Sequence, residues 1–131
     1  PQLVQYEGGC HCEAVKFRVL APYHLTVWNC DCSICLMKKN AHFVVPAQNF
    51  TLISGENDLT SYRFNTRKAK HLFCKHCGVQ SYYVPRSNPD GVGVTLACVR
   101  GVKSYEVKDF NGQNWENFIG DSGIQKHSKQ A

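Results

Sequence analysis

With 131 residues, 43% of them apolar and 19% charged, the chain has the make-up of one modest globular domain rather than a disordered segment. No apolar run approaches the ~20 residues of a membrane-spanning helix. The formal charge of +5 would suit a polyanionic partner, but it counts all eight cysteines as neutral.

Eight cysteines in so short a chain mean a disulfide scaffold or metal sites. No stretch reads as a secretory h-region, although Pro1 is not an initiator residue and the beginning of the chain is therefore a poor witness. Spacing decides the matter better. Cysteines two and three residues apart are badly placed for unstrained disulfides with each other and well placed around one metal ion. If seven of them bind two zinc ions as thiolates, −7 and +4 bring the net charge near +2, and basicity loses its weight as a clue.

In chain order, Leu3–Glu7 reads as a short strand that Gly8-Gly9 breaks before Cys10-His11-Cys12, with the glycines allowing close approach and positive φ. From Ala14 to Val19 the alternation is clean: Val15, Phe17 and Val19 face one side, Lys16 and Arg18 the other. Leu25–Trp28 is a strand leading into Cys30-Asp31-Cys32-Ser33-Ile34-Cys35, and Leu36–Asn40 is too short and polar to predict a helix. Ala41–Val45 follows as a strand with Phe43 and Val45 opposite His42 and Val44. Phe50–Ile53 and Leu59–Phe64 are strands joined by turn formers, and Lys70–Phe73 runs into the knuckle Cys74-Lys75-His76-Cys77-Gly78. Gln80–Val84 and the alternating Val92, Val94, Leu96 and Cys98 complete the strands. Trp115, Phe118 and Ile119 lie at helical spacing and predict a short C-terminal helix. The expected fold class is all-β, a sandwich or barrel-like body of short strands, with one domain over 1–119 and a polar, mobile tail over 120–131.

Cys10, Cys12, Cys74 and Cys77 supply four ligands for a closed, structural zinc that would staple the first strands to the second half. The triplet Cys30, Cys32 and Cys35 offers three, and the reading favoured here is a zinc with its fourth position open. The competing reading closes that site with His24, His42 or Cys98. Three thiolates leave the ion a poor Lewis acid of net charge −1, unsuited to making hydroxide. It suits capture of a thiol as thiolate near neutral pH, where a free thiol of pKa ~8.5 is mostly protonated. His42 is a candidate proton donor to a nascent alkoxide, or an ordinary half-exposed histidine. Cys98 reads as a core residue, and His11 and His76 as solvated loop residues. Lys38, Lys39, Arg67, Lys68, Lys70 and Arg86 could meet substrate carboxylates, though solvated faces explain most of them.

Three clusters, Gly8-Gly9-Cys10-His11-Cys12, Cys30-Asp31-Cys32-Ser33-Ile34-Cys35 and Phe73-Cys74-Lys75-His76-Cys77-Gly78, resemble the glutathione-dependent formaldehyde-activating enzyme family. Asn40–Ala47, Phe64-Asn65-Thr66, Gly78–Ser81, Pro85–Pro89 and Phe110-Asn111-Gly112 resemble its animal branch, the centromere protein V domain. The resemblance runs from about Leu3 to Trp115. It implies a β-tent fold, a structural zinc on Cys10, Cys12, Cys74 and Cys77, and a catalytic zinc on Cys30, Cys32 and Cys35. The implied activity joins glutathione to formaldehyde as S-hydroxymethylglutathione, a carbon–sulfur lyase reaction in an intracellular, cytoplasmic or nuclear setting.

The alternative is a zinc-stabilised binding module on chromatin or microtubules. Scattered basic residues and the lack of a long basic arm argue against direct polymer binding by this domain alone. Chemistry of the methionine sulfoxide reductase B kind ranks last, since its free reactive cysteine would have to be Cys98.

Overall fold

A computed structural model describes residues 2–30, 33–63, 70–85, 88–110 and 124–128, without the side chains at 30, 33, 110, 125 and 126. The described elements are β1 (Leu3–Gly9), β2 (Lys16–Pro22), β3 (His24–Cys30), α1 (Ser33–Lys38), β4 (Ala41–Pro46), β5 (Phe50–Ser54), β6 (Leu59–Tyr62), β7 (Lys70–Cys74), β8 (Tyr82–Val84), β9 (Gly91–Thr95) and β10 (Ser104–Phe110). They form a three-stranded sheet, β1-β2-β5, and a seven-stranded sheet, β10-β3-β4-β9-β8-β7-β6. All neighbours pair antiparallel except β10, which runs parallel to β3. The chain is the all-β domain that its short, turn-bounded apolar runs predict.

The core lies between the two sheets. Val15, Phe17, Val19 and Ala21, from β2 and its lead-in, are buried against Phe43 and Val45 of β4, Val92 and Val94 of β9 and Tyr82 of β8. Phe17 stacks on Phe50 at 5.1 Å, and both rings meet Tyr82, at 6.4 and 4.5 Å, so aromatic contacts tie sheet to sheet. The alternation read in β2 and β4 is borne out: Lys16 and Arg18 are exposed, and His42 and Val44 lie on the face of β4 away from Phe43.

Several expectations are corrected. Gly8 and Gly9 do not break β1; they pair with Phe17 and Lys16 inside it. Neither has positive φ. They are glycines because a Cβ at Gly8 would stand 2.3 Å from the Cys98 carbonyl oxygen, and one at Gly9 2.4 Å from that of Val15. Residues after Cys32 do form a helix, α1, closed at its C-terminus by backbone bonds from Asn40 N to Cys35 O and from Lys39 N to Leu36 O. Lys39 sits at the left-handed position of that closure, φ 56°. Cys98 is not in a strand: β9 ends at Thr95 and Leu96–Cys98 is a single 3₁₀ turn. Strand β10 was not foreseen, although Tyr105 and Val107 alternate with Glu106 and Lys108.

The run Trp115–Ile119 lies outside the described residues, as do Phe64, Arg67, Lys68 and Arg86. Within the expected tail, Ile124–Ser128 form a 3₁₀ turn packed on β4 and β9. Buried Asn88 donates from Nδ2 to the Ile124 carbonyl and to Ser128 Oγ, and Ser128 donates to Asp90. Gly91 makes room for this segment, since a Cβ there would lie 2.5 Å from the Ser128 Cβ. No helix among the described residues is long and apolar enough to cross a membrane.

Candidate metal centre

Cys10 and Cys12 lie just past the end of β1, on a turn closed by Glu13 N to Cys10 O and by Cys10 N to Val15 O. Glu13 takes φ 67° there, which turns the chain back toward β2. Cys74 is the last residue of β7, and Gly78 N donates to its carbonyl to close the second knuckle around Cys77. Gly78 has φ 75° and open space around its missing Cβ, so conformation alone demands glycine. At Gly8 the demand is space alone.

The four sulfurs lie within 4.8 Å of one another. Cys12 Sγ is 3.7 Å from Cys10 Sγ and 3.6 Å from Cys74 Sγ. A tetrahedral ion with metal–sulfur bonds of ~2.3 Å separates its sulfurs by roughly 3.8 Å, so the spacing suits one ion at the centre. Backbone N–H groups already point at the sulfurs, from Val15 to Cys10 Sγ at 3.3 Å and from His76 to Cys74 Sγ at 3.4 Å. Charge argues the same way. The Ala14 N–H pulls the Cys12 thiol down, but burial and the sulfurs of Cys74, Cys10 and Cys77 push it up to about 12. The backbone N–H groups of Cys12 and Val79 draw Cys77 down to about 6. Cys12 and Cys77 are thus driven in opposite directions, and a cation at the centre would favour the thiolate at both.

This cluster joins the end of β1 in the small sheet to β7 in the large one, with Cys12 and Cys74 62 positions apart in the sequence. His76 Nε2 lies 2.8 Å from Asp58 Oδ1, and Lys75 N donates to the Asp58 carbonyl, holding the second knuckle against the β5–β6 turn. His11 is exposed, as expected. Cys98 is half-buried beside the cluster; burial and the charges of Cys10 and Cys77 push its thiol up to about 11.

Of the triplet, Cys32 and the side chain of Cys30 lie outside the described residues. Cys35 is buried on α1, and the helix closure places Asn40, whose Nδ2 donates to Cys35 Sγ at 3.8 Å. The proposed closing ligands fare differently. His24 begins β3, six residues and roughly 20 Å from Cys30 at a strand's ~3.3 Å rise, and bonds Ser104. Cys98 belongs to the neighbourhood of Cys10 and Cys77. His42 is the Cα partner of Trp28, two residues before Cys30. Lys38 lies 4.8 Å above the Phe73 ring, with burial lowering its ammonium pKa against the opposing effect of Cys35, and Lys70 is exposed.

His42 is not half-exposed. It is 2% exposed, with Nε2 2.9 Å from the Tyr83 hydroxyl. Sequence reading missed Tyr83 and Asn40; a glycine inside the apolar strand β9, Gly93, was the available signal that something crosses there.

Comparison with known proteins fits this geometry. A crystal structure of a Rhodobacter sphaeroides protein matches with TM-score 0.67 and 32% identity, covering 76% of this chain and 99% of that one. A Halomonas elongata protein named for glutathione-dependent formaldehyde activation is 55% identical over 29 residues, 22% of this chain. That match spans only 18% of the relative's own length. The model of the family "Glutathione-dependent formaldehyde-activating enzyme" matches residues 5–115, the span that carries all three cysteine clusters, and the chain belongs to that family.

Proposed function

We propose that the chain is a zinc-dependent enzyme of the carbon–sulfur lyase type that joins a thiol, glutathione, to formaldehyde as S-hydroxymethylglutathione. The observation that carries this is the C-x-C-x-x-C triplet at the β3–α1 junction of a chain whose family match spans residues 5–115. In this reading Cys10, Cys12, Cys74 and Cys77 hold a structural zinc, and Cys30, Cys32 and Cys35 hold a second one with an open position. An ion held by Cys30, Cys32 and Cys35 would favour an incoming thiol as its thiolate near neutral pH.

The protein's own residues do the rest. Asn40 donates to Cys35 Sγ and steadies one ligand. The thiol gives up its proton, its sulfur electron pair forms the bond to the formaldehyde carbon, and the C=O π pair moves onto oxygen. His42 protonates that oxygen and is restored by the proton the thiol released.

The test is zinc per chain, with and without glutathione, in the intact protein and in Cys32→Ser. Two zinc ions falling to one, with glutathione-dependent turnover only in the intact protein, is the expected result. Two zinc ions indifferent to glutathione, or turnover that survives Cys32→Ser, would overturn the reading.

A further inference from the structure

The seven-stranded sheet has two unlike faces. One buries Phe43, Val45, Val94 and Tyr82 in the core; the other carries Trp28, His42, Tyr83 and His71, none of which belongs to that core. His42 and Tyr83 sit on β4 and β8, with β9 between them, and Gly93 of β9 pairs with Val44 on one side and Tyr83 on the other. A Cβ at Gly93 would stand 2.6 Å from Tyr83 Cε1 and 3.3 Å from His42 Cδ2. The absent side chain is the passage through which the Tyr83 hydroxyl reaches His42 Nε2, 2.9 Å away. The rings meet edge to face at 5.0 Å and 87°, and His71 stacks on the far side of Tyr83 at 5.2 Å and 15°. Tyr83 is thus clamped between two imidazoles.

A second observation marks this face as more than structural packing. Ser81, two residues before Tyr83, is 1% exposed and its Oγ has no hydrogen-bond partner among the described residues; the buried amide atoms of Gln80 have none there either. Thr95 bonds the backbone of both residues and is the register partner of His42. A buried hydroxyl in this state is costly and points to a water or substrate atom as its partner. The same face runs toward Cys35: His42, the second residue of β4, follows Asn40 by two residues, and Asn40 bonds Cys35. That is roughly 7 Å at a strand's rise.

We propose that Tyr83 is the positioning residue for His42 in proton transfer to the substrate oxygen, and that Gly93 is the gap that lets the pair form. Tyr83 O–H donates to Nε2 of neutral His42 and so places the imidazole proton on Nδ1; when His42 is protonated, Nε2–H donates to the Tyr83 oxygen. This rests on the activity proposed above and deepens it. Tyr83 acts through His42 and does not itself touch the reacting atoms.

The experiment uses the full zinc-loaded chain with glutathione and formaldehyde, comparing wild type, Tyr83→Phe, His42→Gln, the double variant and Gly93→Ala. Imidazole nitrogen chemical shifts of His42 are recorded alongside kcat and KM. Tyr83→Phe is expected to lower kcat roughly 10-fold or more with KM and zinc content unchanged, to move His42 off the Nδ1–H tautomer, and to add nothing to His42→Gln. Gly93→Ala keeps both side chains and should reproduce the tautomer change. Unchanged kcat and unchanged His42 shifts in Tyr83→Phe would overturn the proposal, as would a loss fully additive with His42→Gln. Absent wild-type turnover would sink the parent activity and the catalytic role of the pair. The nitrogen shifts would then still decide separately whether Tyr83 sets the His42 tautomer.

Discussion

In the proposed function the two cysteine clusters use the same ligand chemistry in opposite ways. Cys10, Cys12, Cys74 and Cys77 come from two knuckles that only the folded chain brings together, one at the end of β1 and one at the end of β7. Cys30, Cys32 and Cys35 come from six consecutive residues where β3 gives way to α1. A long-range site spends its binding energy on holding two sheets together. A local one can gain, lose or share a ligand without moving the sheets. The proposed function therefore assigns stability to the first cluster and exchange of a ligand to the second.

The largest expected effect breaks the first half of that comparison. Structural zinc in small domains is worth ~10 kcal/mol or more, against a typical domain stability of 5–15, so removing one ligand by Cys74→Ser should leave the chain unfolded at neutral pH. Circular dichroism with and without a chelator measures it, and a cooperative melt retained in Cys74→Ser would contradict the assignment. Cys32→Ser tests the other half: the melt should shift little while thiol-dependent turnover disappears.

Next come the glycines around the first cluster, which separate space from conformation. Gly8→Ala pushes a Cβ into the Cys98 carbonyl and should cost about 3 kcal/mol. Gly78→Ala meets no neighbour and pays only for φ 75°, about 1–2 kcal/mol. Denaturant midpoints in the order wild type, Gly78→Ala, Gly8→Ala are expected; the reverse order would mean that the β1 backbone shifts freely. On the second cluster's side, Lys39→Gly should stabilise by about 1 kcal/mol, since Lys39 holds the left-handed position that closes α1. Smallest is Asp58→Asn. Its partner His76 is 53% exposed, so the pair contributes under ~1 kcal/mol and salt should erase the difference in melting temperature.

The sequence by itself determined the features that depend on near neighbours. Cysteines two and three residues apart mark candidate metal sites because so short a loop can present both sulfurs to one ion, and Val15, Phe17 and Val19 declare a half-buried strand because side chains alternate. It also pointed to one four-membered candidate set, since Cys10-x-Cys12 and Cys74-x-x-Cys77 are each incomplete alone, and the fold brings those four sulfurs together. What only the tertiary structure decided is what depends on partners distant along the chain. The residues of β10 alternate weakly, and nothing local says that they run parallel to β3 at the sheet edge. Ile124 lies in a polar stretch, and its burial needs Asn88 and the gap at Gly91. His42 reads as an ordinary half-exposed histidine until β8 is laid two strands away from β4, with a glycine between them, and the Tyr83 hydroxyl reaches it. Strand order is set by the sum of many weak side-chain contacts across the sheet, and no short window of sequence contains that sum.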